Sequence, residues 1–95
     1  MRTVNILGVP FKIEEVDVID ESREGITQGK IKYTKGVIYL RKNQPDAIKR
    51  QTLIHEVVHG IFIQIGRDDL SEDEALVQTL AVAIDNTFKL KEKKK

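Results

Sequence analysis

Asn43-Gln44-Pro45-Asp46-Ala47-Ile48-Lys49-Arg50-Gln51-Thr52-Leu53-Ile54-His55-Glu56-Val57-Val58-His59-Gly60-Ile61-Phe62-Ile63-Gln64-Ile65-Gly66 is the stretch on which the fold turns. Here the apolar residues stop alternating and begin to recur every three or four positions, the change from strand to helix period. A capping-type Asn43, an early Pro45 and the acidic Asp46 announce a helix start and Gly66 its end, so residues 43–66 are expected as one helix. Plotted at about 100° per residue, Ile54, Val57, Val58, Ile61, Phe62 and Ile65 share one arc. His55 and His59 lie together at its border, and Glu56 falls further round, towards solvent.

Upstream, residues 1–42 carry strand patterning. Residues 3–7 and 11–18, separated by a turn at Gly8-Val9-Pro10, make a first hairpin. Residues 20–29 are polar and glycine-bearing and are expected as loop, with room for a strand from Ile26. Residues 30–34 and 37–41, joined through Lys35-Gly36, make a second hairpin, with Ile31, Tyr33, Ile38 and Leu40 on its covered face. Four short antiparallel strands follow from this reading. Downstream, Ser71 can cap a further helix over residues 71–90, where Val77, Leu80, Ala81, Ile84 and Phe88 form one apolar stripe. Residues 91–95 are left as a basic tail. The expected class is α+β: a small antiparallel sheet of two hairpins followed by two packed helices.

The chain has 95 residues, enough for one domain with one core, and 40% apolar with 33% charged residues is a globular composition rather than a disordered one. It has no cysteine, which excludes disulfides and thiolate metal cages, so any metal must be held by imidazole and carboxylate. No apolar run approaches the roughly 20 residues of a membrane span, and the start lacks the layout of a secretory signal. A cytoplasmic protein with no membrane partner is the expectation. The net charge is +1, but residues 89–95 hold five lysines and one glutamate, a local +4 that leaves the other 88 residues at about −3. A lysine end without aromatic interleaving or a basic helical face is a solvated terminus, so nucleic acid is not the expected partner.

The chemistry is concentrated in His55-Glu56-Val57-Val58-His59. Histidines at i and i+4 sit one turn apart on one helical face, so their imidazoles can converge on one ion, and Zn2+ suits that pair. Glu56, one residue after the first histidine, can reach a water on the open side of the metal without ligating, the position of a general base. These are the only two histidines of the chain, so a third protein ligand must be a carboxylate or an amide from another element. The second helix offers Glu74, at the border of its stripe, and Asp73, nearer the stripe's centre on a shorter stem; Glu72 points away. Glu74 has a competing role, because Ser71-Glu72-Asp73-Glu74 matches the S-x-x-E capping box, in which the glutamate folds back on the Ser71 amide.

Leu53-Ile54-His55-Glu56-Val57-Val58-His59-Gly60, followed by an acidic stretch and Glu74-Ala75-Leu76-Val77-Gln78-Thr79-Leu80-Ala81, resembles the minimal ImmA/IrrE-like zinc peptidases of phages and mobile elements. The likeness, which is of the gluzincin type, covers most of the chain, including the preceding hairpin. It implies a minimal zincin-like fold with His55, His59 and Glu74 as zinc ligands, Glu56 as the catalytic base and Gln78 as the residue that orients a ligand histidine. It further implies a metallopeptidase whose substrate is a protein or peptide, such as a repressor-type regulator. It also implies that the strand nearest the site, residues 37–41, offers an open edge for an extended peptide. The sequence departs from the family pattern at Val77, which is larger than the usual small residue, and at Gln78, which replaces an acid or asparagine. Nothing after Glu74 is His, Tyr or Arg, so a donor to a developing oxyanion would have to come from Tyr33, Tyr39 or Arg41.

Overall fold

The computed structural model describes residues 2–19, 21–22, 25–26 and 28–92. Leu7 (φ 51°) and Gly8 (φ 88°) form the tight two-residue turn that matches the twist of a hairpin, joining strand β1 (Arg2–Ile6) to β2 (Val9–Val16). The turn thus closes earlier than the sequence suggested, and Val9 and Pro10 enter the strand. Pro10 is accommodated because β2 pairs only with β1 there; its second partner joins at Lys12. Glu21–Ser22 (β3) and Gly25–Ile26 (β4) pair as a short ladder inside the stretch expected as loop. β5 (Gly29–Lys32) then runs through a single 3-10 turn, Tyr33–Lys35, and Gly36 at φ 68° into β6 (Val37–Arg41).

The main sheet has the order β1-β2-β6-β5. Each hairpin is antiparallel as expected, but they are joined by a parallel pairing of β2 with β6, from Lys12 opposite Val37 to Val16 opposite Arg41, so the sheet is mixed. Composition explains which strand of the second hairpin moves inside. β6 buries Val37, Ile38 and Leu40 on both its faces, as an interior strand does. β5 alternates Lys30 and Lys32 with its apolar residues, and lysine belongs on an edge. The edge strand is therefore β5, and residues 37–41 offer no open edge.

Helix α1 (Asp46–Gln64) lies across one face of the sheet. Ile6, Phe11, Ile38 and Leu40 are fully buried there and take Leu53, Val57 and Ile61 of the helix against them. Gly60 lets the backbones approach: a Cβ there would stand 2.8 Å from Ile6 Cδ1 and 3.1 Å from Ile31 Cδ1. The far end of α1 is pinned by Gln64, which accepts from the Tyr33 hydroxyl and donates to the Ile6 carbonyl at 3.1 Å. Ile65, expected in the buried arc, is exposed because the helix stops one residue earlier.

A one-turn helix α2 (Asp68–Ser71) reverses the chain into α3 (Glu74–Glu92), which packs on α1. The cap of α3 is Asp73, whose Oδ1 accepts the Leu76 N–H at 3.1 Å; Ser71, expected in that role, is the last residue of α2. Val77 and Ala81 of α3 are fully buried and Val58 of α1 is buried, but Phe88, placed on the same stripe by periodicity, is exposed. Residues 93–95 of the expected basic tail lie outside the described residues. No helix among the described residues is long and apolar enough to cross a membrane.

Candidate metal centre

His55 and His59 stand one turn apart on α1, with ring centroids 4.9 Å apart, and face the first turn of α3. Glu74 Oε1 lies 3.1 Å from His55 Nε2 and 3.4 Å from His59 Nε2. One ligand atom from each of the three residues falls within 4.8 Å of the others. Because Asp73 caps the helix, the Glu74 side chain is released from the capping box and reaches back to the histidines. Asp73, the other candidate carboxylate, is engaged with the Leu76 amide.

The opposite nitrogen of each ring is also held. His55 Nδ1 is 2.8 Å from Gln78 Oε1, and because an amide oxygen can only accept, this contact fits the tautomer with its proton on Nδ1. His59 Nδ1 is 3.1 Å from Ser71 Oγ, and the hydroxyl can accept from that nitrogen while donating to the His59 carbonyl oxygen 3.4 Å away. With both rings in that tautomer, the two Nε2 atoms are bare and share one space with Glu74 Oε1. Such a set of two imidazole nitrogens and a carboxylate oxygen fits a cation, and it is a donor set that suits zinc. The described residues could hold a metal ion at this point. The Glu74 side chain is 69% exposed, so the set meets solvent at its carboxylate.

Glu56 departs from its expected place. The helical wheel put it towards solvent, yet it is 7% exposed, because edge strand β5 folds over that side of α1. Gly29 makes the closure possible: a Cβ on it would meet Thr52 Cγ2 at 2.5 Å and Glu56 Cγ and Oε2 at 3.4 Å. Burial pushes the Glu56 carboxyl up to about 7, His55 opposes this, Glu74 adds to it, and a hydrogen bond from the Ile31 backbone amide opposes it again. A divalent cation beside it would favour the ionised form.

Two cavities, of about 340 and 350 Å³, meet at Gly29, His55 and Glu56. The first is lined by Gln28, Gln51, Thr52 and Gln78, and the second by Ile31, His59, Ser71 and Glu74. Neither is lined by Tyr33, Tyr39 or Arg41: Tyr33 is bonded to Gln64, Arg41 to Gln28 Oε1 at 3.2 Å, and Tyr39 lines a separate cavity with Lys30 and Lys32. Sequence reasoning missed Ser71 as a partner of His59 and Gln51 as a partner of Gln78, to which Gln78 Nε2 donates at 3.1 Å. Gln51 carried a signal, since it precedes His55 by four residues and so shares its face. In comparisons with known proteins, no family model, curated protein or solved structure matches the chain.

Proposed function

We propose that the chain is a zinc-dependent metallopeptidase of the minimal gluzincin kind, with His55, His59 and Glu74 holding the metal and Glu56 acting as general base. The observation that carries this reading is a buried carboxylate beside a convergent His-His-Glu set, with an edge strand alongside. When bound, zinc supplies a Lewis acid that acidifies water and polarises the scissile carbonyl. Glu56 takes the proton of the attacking water and returns it to the leaving amine nitrogen as the C–N bond breaks. The Ile31 amide fixes the Glu56 carboxylate for both transfers. β5 is the edge on which an extended peptide can add as a further strand, bringing its backbone past Glu56 with little demand on side-chain identity. A regulatory protein of repressor type is the substrate class suggested by the sequence resemblance, and the cytoplasm the compartment.

The reading is tested by incubating zinc-loaded protein with a randomised peptide library and identifying new termini by mass spectrometry. Wild type cleaves, chelation stops it, and Glu56→Gln binds zinc equally while cleaving about 10²–10⁴-fold more slowly. Equal cleavage by Glu56→Gln overturns the mechanism. One observation favours a second reading, a zincin-fold binding module without turnover: neither cavity at the site is lined by Tyr33, Tyr39 or Arg41. That reading expects zinc uptake by wild type with no cleavage at any peptide length.

A further inference from the structure

We propose that Asp85, eleven residues beyond Glu74 and outside the metal set, fixes which nitrogen of His55 is free to ligate, acting through Gln51 and Gln78 as positioning residues. The inference rests on the reading of His55, His59 and Glu74 as a metal centre and is independent of whether peptides are cleaved.

The seam between α1 and α3 carries a continuous chain of hydrogen bonds. Arg50 Nε donates to Asp85 Oδ1 at 2.8 Å. Gln51 Nε2 donates to Asp85 Oδ2 at 3.4 Å, the longest link. Gln78 Nε2 donates to Gln51 Oε1 at 3.1 Å, and Gln78 Oε1 accepts from His55 Nδ1 at 2.8 Å. A carboxamide is ambidextrous, with a donor and an acceptor end of nearly equal shape, so neither glutamine by itself decides which end meets the imidazole. The carboxylate does decide, because it can only accept.

The logic runs link by link. Asp85 turns the Gln51 NH₂ towards itself, which presents the Gln51 oxygen to Gln78. That turns the Gln78 NH₂ towards Gln51 and its oxygen towards His55. His55 must then carry its proton on Nδ1 and leave Nε2 bare, facing Glu74 3.1 Å away. Reversing the chain would set an amide oxygen, an acceptor, against a carboxylate that is 4% exposed and that can only accept. The amide dipoles also align head to tail, and such chains polarise cooperatively, so the Asp85 charge strengthens the His55 hydrogen bond and the basicity of Nε2. His59 has a different arrangement: its Nδ1 partner is the Ser71 hydroxyl, which lies outside this chain. It serves as an internal control.

The experiment uses the full chain, metal-free and ¹⁵N-labelled, at about pH 8, above the ordinary imidazole pKa. Long-range ¹H–¹⁵N spectra read the tautomer of each histidine, and competition with a chromophoric chelator reads zinc affinity. Gln51→Met cuts the chain and leaves Arg50–Asp85 in place; Asp85→Asn gives the terminus a donor. Wild-type His55 is expected as the Nδ1–H tautomer. In Gln51→Met it becomes a mixture while His59 is unchanged, and zinc affinity falls roughly threefold to tenfold, less than the ~10- to 100-fold loss typical of a ligand's direct partner. The double variant loses no more than the worse single. An unchanged His55 tautomer and zinc affinity in folded Gln51→Met, or losses that multiply in the double variant, overturn the proposal. Should Asp85→Asn fail to fold, the tautomer in Gln51→Met decides alone. If wild type takes up no zinc, the metal reading fails, while the metal-free tautomer comparison still tests the chain of bonds.

Discussion

Against the sheet, α1 sets Leu53, Val57 and Ile61 onto Ile6, Phe11, Ile38 and Leu40. Against α3 it sets Arg50, Gln51, His55 and His59 onto Asp85, Gln78 and Glu74, with Val58, Val77 and Ala81 buried nearby. The first face is held by non-directional apolar burial, in which any group of the right volume serves. The second adds to the burial of Val58, Val77 and Ala81 a row of directional bonds, in which the identity of each atom matters and the net gain per bond is small. One helix therefore presents an apolar face to the sheet and, towards α3, the polar row that holds the candidate metal centre.

If that division is right, the largest single effect lies on the sheet side. Phe11→Ala should cost about 3–5 kcal/mol in urea unfolding, while the fraction that stays folded binds zinc as wild type does. A parallel fall in zinc affinity would break the division. Gly29→Ala sits where the faces meet, since its Cβ would lie 2.5 Å from Thr52 Cγ2. It should cost about 1–3 kcal/mol by displacing β5, and should raise hydrogen exchange at the Ile31 amide as its bond to Glu56 opens. Ser71→Ala acts on the other face alone. Zinc affinity should drop about tenfold through the loss of the His59 partner, with a smaller change in the urea midpoint of the metal-free protein. The smallest effect expected is that of Asp73→Ala, about 1 kcal/mol from the lost cap, read by thermal melting. A larger drop in zinc affinity than that of Ser71→Ala would mean that the cap, rather than the α2 turn, positions Glu74.

The division also explains what was legible in the sequence. Hydrophobic period gave both hairpins, α1 and α3, because strand and helix spacings mark which residues share a face. Period does not say which element will cover a face. Glu56 lay outside the apolar arc and so was expected in solvent, but the cover comes from β5, which Gly29 admits to close range. The parallel β2–β6 pairing was missed for a related reason: two hairpins can dock in several orders. The signal that separates them is the uninterrupted apolar run of β6 against the lysine alternation of β5. On the α3 face, the i, i+4 histidines could be placed by helix geometry alone, whereas Glu74 and Ser71 could not. The S-x-x-E pattern at Ser71 and the aspartate at position 73 offered two caps for one helix. In the structure Asp73 takes the cap, while Ser71 contacts His59, twelve residues away in sequence.

Zinc titration of the metal-free protein, wild type beside Glu74→Gln and Glu72→Gln, tests the metal centre most directly. The expected result is one ion per chain, an affinity that falls in Glu74→Gln by more than in Ser71→Ala, and no change in Glu72→Gln, whose side chain lies on the exposed end of α2. Zinc uptake that Glu74→Gln leaves untouched, or no uptake by wild type, would contradict it.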